Sequence, residues 1–128
     1  PRCWAALLLP ILWTGCGGPP PRMQNEAIRD VHSYAEPHRA RTTHLDLDLE
    51  VLFDKRILRG HVTHQVTRPD ASAPLLLDTR DLTITRVETA ETREGSYSET
   101  KFQLGAKDPI LGAPLRIDLP SGATHVRV

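Results

Sequence analysis

At 128 residues and 14.3 kDa the chain has room for one domain, and its 39% hydrophobic content is below that of a helical membrane protein. Lys+Arg 16 balances Asp+Glu 16, so no basic excess exists to neutralise phosphates and nucleic acid is excluded as a partner class. With 11 prolines, 8 glycines and 5% aromatic residues a helical bundle is disfavoured, while 25% charged residues beside ordinary apolar content argue against disorder; a turn-rich β fold is expected.

The N-terminal stretch is a separate object. Every acidic residue follows Met23, whereas the residues before it carry only Arg2 and Arg22 as charges. Arg2 precedes an apolar run from Trp4 to Trp13, about ten residues where a membrane-spanning helix needs roughly 20. A positive flank, a short apolar segment and small residues form the pattern of an export signal, predicted over residues 1–15. Gly17-Gly18-Pro19-Pro20-Pro21 then opens an extended linker, predicted over 16–38. Both cysteines, Cys3 and Cys16, belong to this stretch, so the body has no disulfide framework.

Leu12-Trp13-Thr14-Gly15-Cys16 resembles a bacterial lipoprotein signal, in which cleavage precedes a cysteine that becomes lipid-modified, although Trp13 stands where an aliphatic residue is usual. The resemblance implies lipidation at Cys16, a membrane partner through that anchor, and a place in the bacterial cell envelope. The alternative is an unmodified thiol beside an ordinary secretory cleavage site, which would leave the protein periplasmic. Stable anchoring takes more than one acyl chain, at ~0.8 kcal/mol per buried CH₂, and a diacylglyceryl cysteine satisfies that condition. Pro1 in place of Met predicts a reading frame that begins earlier.

From Arg41 onward Leu45, Leu47, Leu49, Val51 and Phe53 alternate with His44, Asp46, Asp48 and Glu50. That period of two predicts a half-buried strand with its aliphatic side on a core and its acidic side in water. A one-residue slip would bury three carboxylates, so the register is strongly specified. Asp54-Lys55-Arg56 has hairpin-loop length, and Leu58, Gly60, Val62, His64 and Val66 then alternate with Arg59, His61, Thr63, Gln65 and Thr67 as the antiparallel partner. Arg68 to Pro74 is rich in breakers and ends the hairpin. A short strand at Leu75-Leu76-Leu77, a turn at Asp78 to Asp81 and a further strand over Leu82–Val87 are expected. Glu88 to Lys101 reads as a loop or irregular hairpin anchored by Tyr97 and Phe102. Leu115, Ile117 and Leu119 alternate again, Pro120-Ser121-Gly122 turns the chain, and His125 to Val128 is strand-like. The strand pattern runs to Val128 with no turn signal or polar tail, which predicts an incomplete domain and an unpaired sheet edge.

Little of this carries chemistry. His61-Val62-Thr63-His64 lacks the glutamate and spacing of a His-Glu-x-x-His zinc helix, and on a strand residues three apart point to opposite sides. His64 is more simply a hydrogen-bonded histidine on the inner face. Asp46, Asp48 and Glu50 stand ~7 Å apart along one side of a strand, which suits a solvated face better than a cation site or an acid–base pair. The residues nominate no catalytic, cofactor-binding or metal-ligating position; Cys16 is the single candidate for modification.

Three segments of the body, Arg41-Thr42-Thr43-His44-Leu45-Asp46-Leu47, Phe53-Asp54-Lys55-Arg56-Ile57-Leu58-Arg59-Gly60 and Leu76-Leu77-Asp78-Thr79-Arg80-Asp81-Leu82-Thr83-Ile84, follow one another in a distinctive order. Phe102-Gln103-Leu104-Gly105 and Gly112-Ala113-Pro114-Leu115-Arg116-Ile117-Asp118-Leu119-Pro120 continue it. Together they resemble the start of the M1-family zinc aminopeptidases, most closely the leukotriene A4 hydrolase-like branch, over roughly residues 40 to 128.

The resemblance implies an all-β, mostly antiparallel, saddle-like β-sandwich domain over 39–128, incomplete at its C-terminus. It further implies a thermolysin-like catalytic domain of the same polypeptide as partner, peptides as substrates, and Zn2+ as the cofactor of the parent enzyme. None of these sites maps onto a residue of this chain. Under that reading the chain walls the substrate entrance, supports the catalytic domain and is inactive alone. The alternative is a surface lipoprotein β-sandwich that binds a protein or glycan through Glu88–Lys101.

Overall fold

The computed structural model describes residues 30–128; the predicted export signal, the linker up to residue 29 and Cys16 lie outside the described residues. Eight strands follow in chain order: β1 (Arg41–Leu52), β2 (Ile57–Thr67), β3 (Leu75–Thr79), β4 (Glu88–Ala90), β5 (Ser98–Glu99), β6 (Phe102–Leu104), β7 (Ala113–Ile117) and β8 (His125–Arg127). They form one sheet ordered β1-β2-β8-β4-β5 and a second ordered β3-β7-β6. Each pairing is antiparallel, as expected for an all-β domain. Among the described residues the only helical element is a single 3₁₀ turn, Phe53–Lys55, which closes the β1–β2 hairpin with Arg56 in the left-handed region at φ 53.

The hairpin register places Leu45 opposite His64, Leu47 opposite Val62, Leu49 opposite Gly60 and Val51 opposite Leu58. Directly opposed residues of an antiparallel pair share a face, so the aliphatic side chains of both strands gather on one side and Asp46, Asp48 and Glu50 on the other. A bulge between Thr42 and His44 shifts the ladder near the start of β1.

The core sits between the sheets. Val66 of β2 and Val126 of β8 meet Leu75 of β3 and Leu115 and Ile117 of β7, with Ala40, Ala73 and Val87 added from connections. Ile117 is opposed by Leu75 on one side and by Phe102 on the other, and it is 0% exposed. Burial of a large aliphatic side chain contributes roughly 1.5–3 kcal/mol, so this small cluster supplies most of the stabilisation that holds the two layers together.

Two expectations are corrected. Leu82–Val87 is not a strand; the chain there has no regular structure, its last residue Val87 accepts a bond from Thr100 N–H at 3.0 Å, and the ladder begins at Glu88. Its aliphatic residues cover the core instead, since Val87 is fully buried and Ile84 packs on the cluster while Leu82 is exposed. The aliphatic side of β1 is also not seated on a core among the described residues. Leu45, Leu47, Leu49 and Val51 are 51%, 66%, 52% and 50% exposed, because the smaller sheet covers β2 only around His64 and Val66.

Residues 30–40 are held against this framework by carboxylates. The Ser33 hydroxyl and Tyr34 N–H donate to the two oxygens of Asp78 at 2.6 and 2.8 Å. Arg39 donates to Glu36 and, through Nε, to Asp70. Asp70 also accepts the backbone N–H and hydroxyl of Ser72, and these bonds, with Arg39 adding to them, hold its carboxyl at a pKa of about 2.

Candidate functional site

The histidine pair comes first because histidines are the usual carriers of metal and proton chemistry. His64 lies on the inner face, buried, with Nδ1 3.1 Å from the Thr42 hydroxyl, and burial pushes its pKa down so that the ring is neutral at neutral pH. His61 lies on the other face, with Nε2 3.9 Å from Asp48. The strand geometry thus separates the two rings, as the spacing predicts, and His64 has the structural role expected of it.

The carboxylate row has partners from the facing strand and from the β4–β5 turn. Glu50 accepts from Arg59 Nε at 2.7 Å, Asp48 faces His61, and Asp46 accepts from Arg93 at 2.9 Å with His44 3.5 Å away. Such exposed pairs are worth at most about 1 kcal/mol each, but opposite charges directly across a ladder reinforce its register. Among the described residues no group of three or more His, Cys, Asp or Glu is placed to hold an ion.

Two concavities adjoin the hairpin. An open cleft of about 660 Å³ beside the outer half of β2 is lined by Asp48, Glu50 and Glu88 and by Arg59, Arg86 and Arg127. Its acids and bases balance, and Glu50–Arg59 and Arg86–Glu88 are paired at 2.7 and 3.6 Å, so it offers no net field to a charged ligand. A second cleft, of about 380 Å³, lies between the sheets and is lined by Val62, His64, Leu77, Leu82, Ile84 and Leu115 among others. Its lining is mostly aliphatic, with His64, Asp78 and Thr79 as the polar members. Because Val62 and His64 stand opposite Leu47 and Leu45, this cleft is on the same face of the sheet as the exposed aliphatic side of β1.

The irregular hairpin β4–β5 and its turn are tied to the rest of the sheet. Arg93 bonds Asp46, and the Tyr97 ring lies under the Arg127 guanidinium at 3.8 Å, a cation–π contact. Tyr97 and Phe102 thus anchor this segment as the sequence indicates. The feature that residue-by-residue reasoning did not locate is the uncovered aliphatic face. Its signal was present in the alternation Leu-Asp-Leu-Asp-Leu-Glu-Val, which shows that one side of the strand avoids water but not what lies against it.

No family model matches the chain. It is 33% identical over 99 residues to leukotriene A-4 hydrolase of Xenopus laevis, a match covering 77% of this chain and 15% of that protein. It is 32% identical over 85 residues to leucine aminopeptidase 2 of Candida albicans, covering 66% of this chain and 13% of that protein. The native leukotriene A4 hydrolase of Saccharomyces cerevisiae superposes with a TM-score of 0.65 at 26% identity, over 83% of this chain and 17% of that one. The yeast enzyme in complex with bestatin superposes with a TM-score of 0.67 at 26% identity, over 83% of this chain and 16% of that one. The chain therefore spans about 15% of the length of the curated relatives it matches.

Proposed function

Because the chain belongs to the M1 aminopeptidase family, in the leukotriene A4 hydrolase-like branch and through its N-terminal β domain, we propose that it is the non-catalytic N-terminal domain of an exported zinc aminopeptidase. In this reading the domain walls the substrate entrance and supports a catalytic domain of the same polypeptide, which removes N-terminal residues from peptides. The observation that carries the reading is the likeness over 99 residues to a leukotriene A4 hydrolase, joined to the same antiparallel two-sheet fold.

The described residues do not fit a zinc centre. His61 and His64 face opposite sides of β2, and no third ligand gathers beside either. Zinc is accordingly assigned to the polypeptide outside this chain, and no chemical step is routed through residues 30–128. The alternative, a surface module that binds a protein or glycan through Glu88–Lys101, has in its favour an open cleft of about 440 Å³ beside that hairpin and against it the engagement of Arg93 and Tyr97 within the sheet.

The test compares the 128-residue chain with the complete gene product on aminoacyl-p-nitroanilides, together with metal analysis. The complete product is expected to cleave them and to carry about one zinc per chain, and the 128-residue chain to do neither. Turnover by the shorter chain, or a complete product with neither zinc nor activity, overturns the assignment.

Export and anchoring rest on the Trp4–Trp13 run and Cys16. Cys16→Ala is expected to move the protein from the membrane fraction to the soluble fraction and to abolish lipid labelling. Unchanged fractionation in that variant rejects the anchor and leaves the ordinary secretory signal.

A further inference from the structure

We infer that the aliphatic face of the β1–β2 hairpin, built on Leu47, Leu49, Val51 and Leu58, is the seat of an apolar segment of the same polypeptide lying outside this chain. This rests on the reading of the chain as the N-terminal domain of a longer enzyme and names the surface through which the domain is joined to it.

Five large aliphatic side chains, Leu45, Leu47, Leu49, Val51 and Leu58, stand side by side on two paired strands and are 50% to 66% exposed. Soluble proteins seldom leave so continuous an apolar patch uncovered unless something binds there. A long, flat, apolar edge strand is also a hazard that native proteins blunt or cover.

The position of the patch is informative. It is the same side of the sheet as Val62, His64 and Val66, so the surface on which the core is built continues outward along β1 past the border of the smaller sheet. The apolar cleft lined by Val62, Leu77 and Leu82 marks where covered and uncovered portions meet. A segment laid on the hairpin would therefore extend the existing core rather than create a separate contact. The opposite side carries Asp46, Asp48 and Glu50, a charged face suited to water, with Glu50 paired to Arg59 across the ladder and Asp46 paired to Arg93 of the β4–β5 turn.

The occupant follows from length. Relatives are similar to this chain over only 13% to 15% of their own sequence, so most of their polypeptide lies outside the matched region and is available in cis. Linked polypeptide competes at high effective concentration, which favours it over a second copy on the same face.

Leu49→Cys and Glu50→Cys place a thiol on the two faces of β1 at adjacent positions, and both are read on the tryptic peptide spanning residues 42–55. In the complete gene product, maleimide labelling at position 49 is expected to be at least 10-fold slower than at position 50. In the 128-residue chain the two rates should fall within about 3-fold of each other at every protein concentration. Equal rates in the complete product overturn the inference while leaving its peptidase activity, and hence the domain assignment, intact. Protection of position 49 in the 128-residue chain that grows with concentration also overturns it, in favour of a second copy. Loss of zinc and activity in the unsubstituted complete product instead removes the reading on which the inference rests.

Discussion

Gly60→Ala is expected to destabilise the domain by about 3 kcal/mol or more, enough to unfold a large fraction of a chain with ordinary marginal stability. Gly60 has φ 155 and faces Leu49 across the hairpin, and a Cβ built on it lies 1.9 Å from the Asp48 carbonyl oxygen and 2.9 Å from Leu49 Cα. These are backbone atoms of β1, so no side chain can rotate away; either the strands separate or Gly60 adopts another conformation. Both break ladder bonds in the longest pairing of the fold. Denaturant titration followed by far-UV circular dichroism checks the loss. A change below about 1 kcal/mol would mean that the two backbones do not approach so closely.

Ile117→Ala is expected to lose about 3–4 kcal/mol for a different reason. Ile117 is 0% exposed and sits in the central strand of the smaller sheet, between Leu75 and Phe102, with Val66 and Val126 belonging to the same cluster. Truncation removes the transfer free energy of three carbons and leaves a cavity that neighbours on two strands hold open. Leu104→Ala, on the exposed edge of the same sheet, is the control and should lose under about 1 kcal/mol. A similar loss for both variants in urea titrations would show that the core is not centred on β7.

How much of this was legible follows from what sets each element. The hairpin could be read because a period of two over β1 and β2 is a local property, and the three charged residues Asp54-Lys55-Arg56 mark its turn. Strand β7 could be read for the same reason, with Leu115 and Ile117 inward and Arg116 outward. Leu82–Val87 could not, because its aliphatic spacing reports which side avoids water and not whether a neighbouring strand offers backbone partners. The anchoring of Ser33 and Tyr34 by Asp78 spans 45 and 44 residues and has no local signature. The separation of His61 and His64 is legible because residues three apart on a strand point to opposite sides, and the strand that carries them does hold the rings apart. The uncovered face escaped because alternation is identical whether the covering layer belongs to this chain or to another part of the polypeptide.

The brevity of the Phe53–Lys55 connection makes closure of the β1–β2 hairpin a fast local step. Neighbouring strands joined so closely zip together within ~1–10 μs, whereas synthesis adds only roughly 5–20 residues each second. The hairpin can therefore close and reopen many times before β7 is made to meet β3, and alone, as two strands, it is only marginally stable until the second sheet covers part of it.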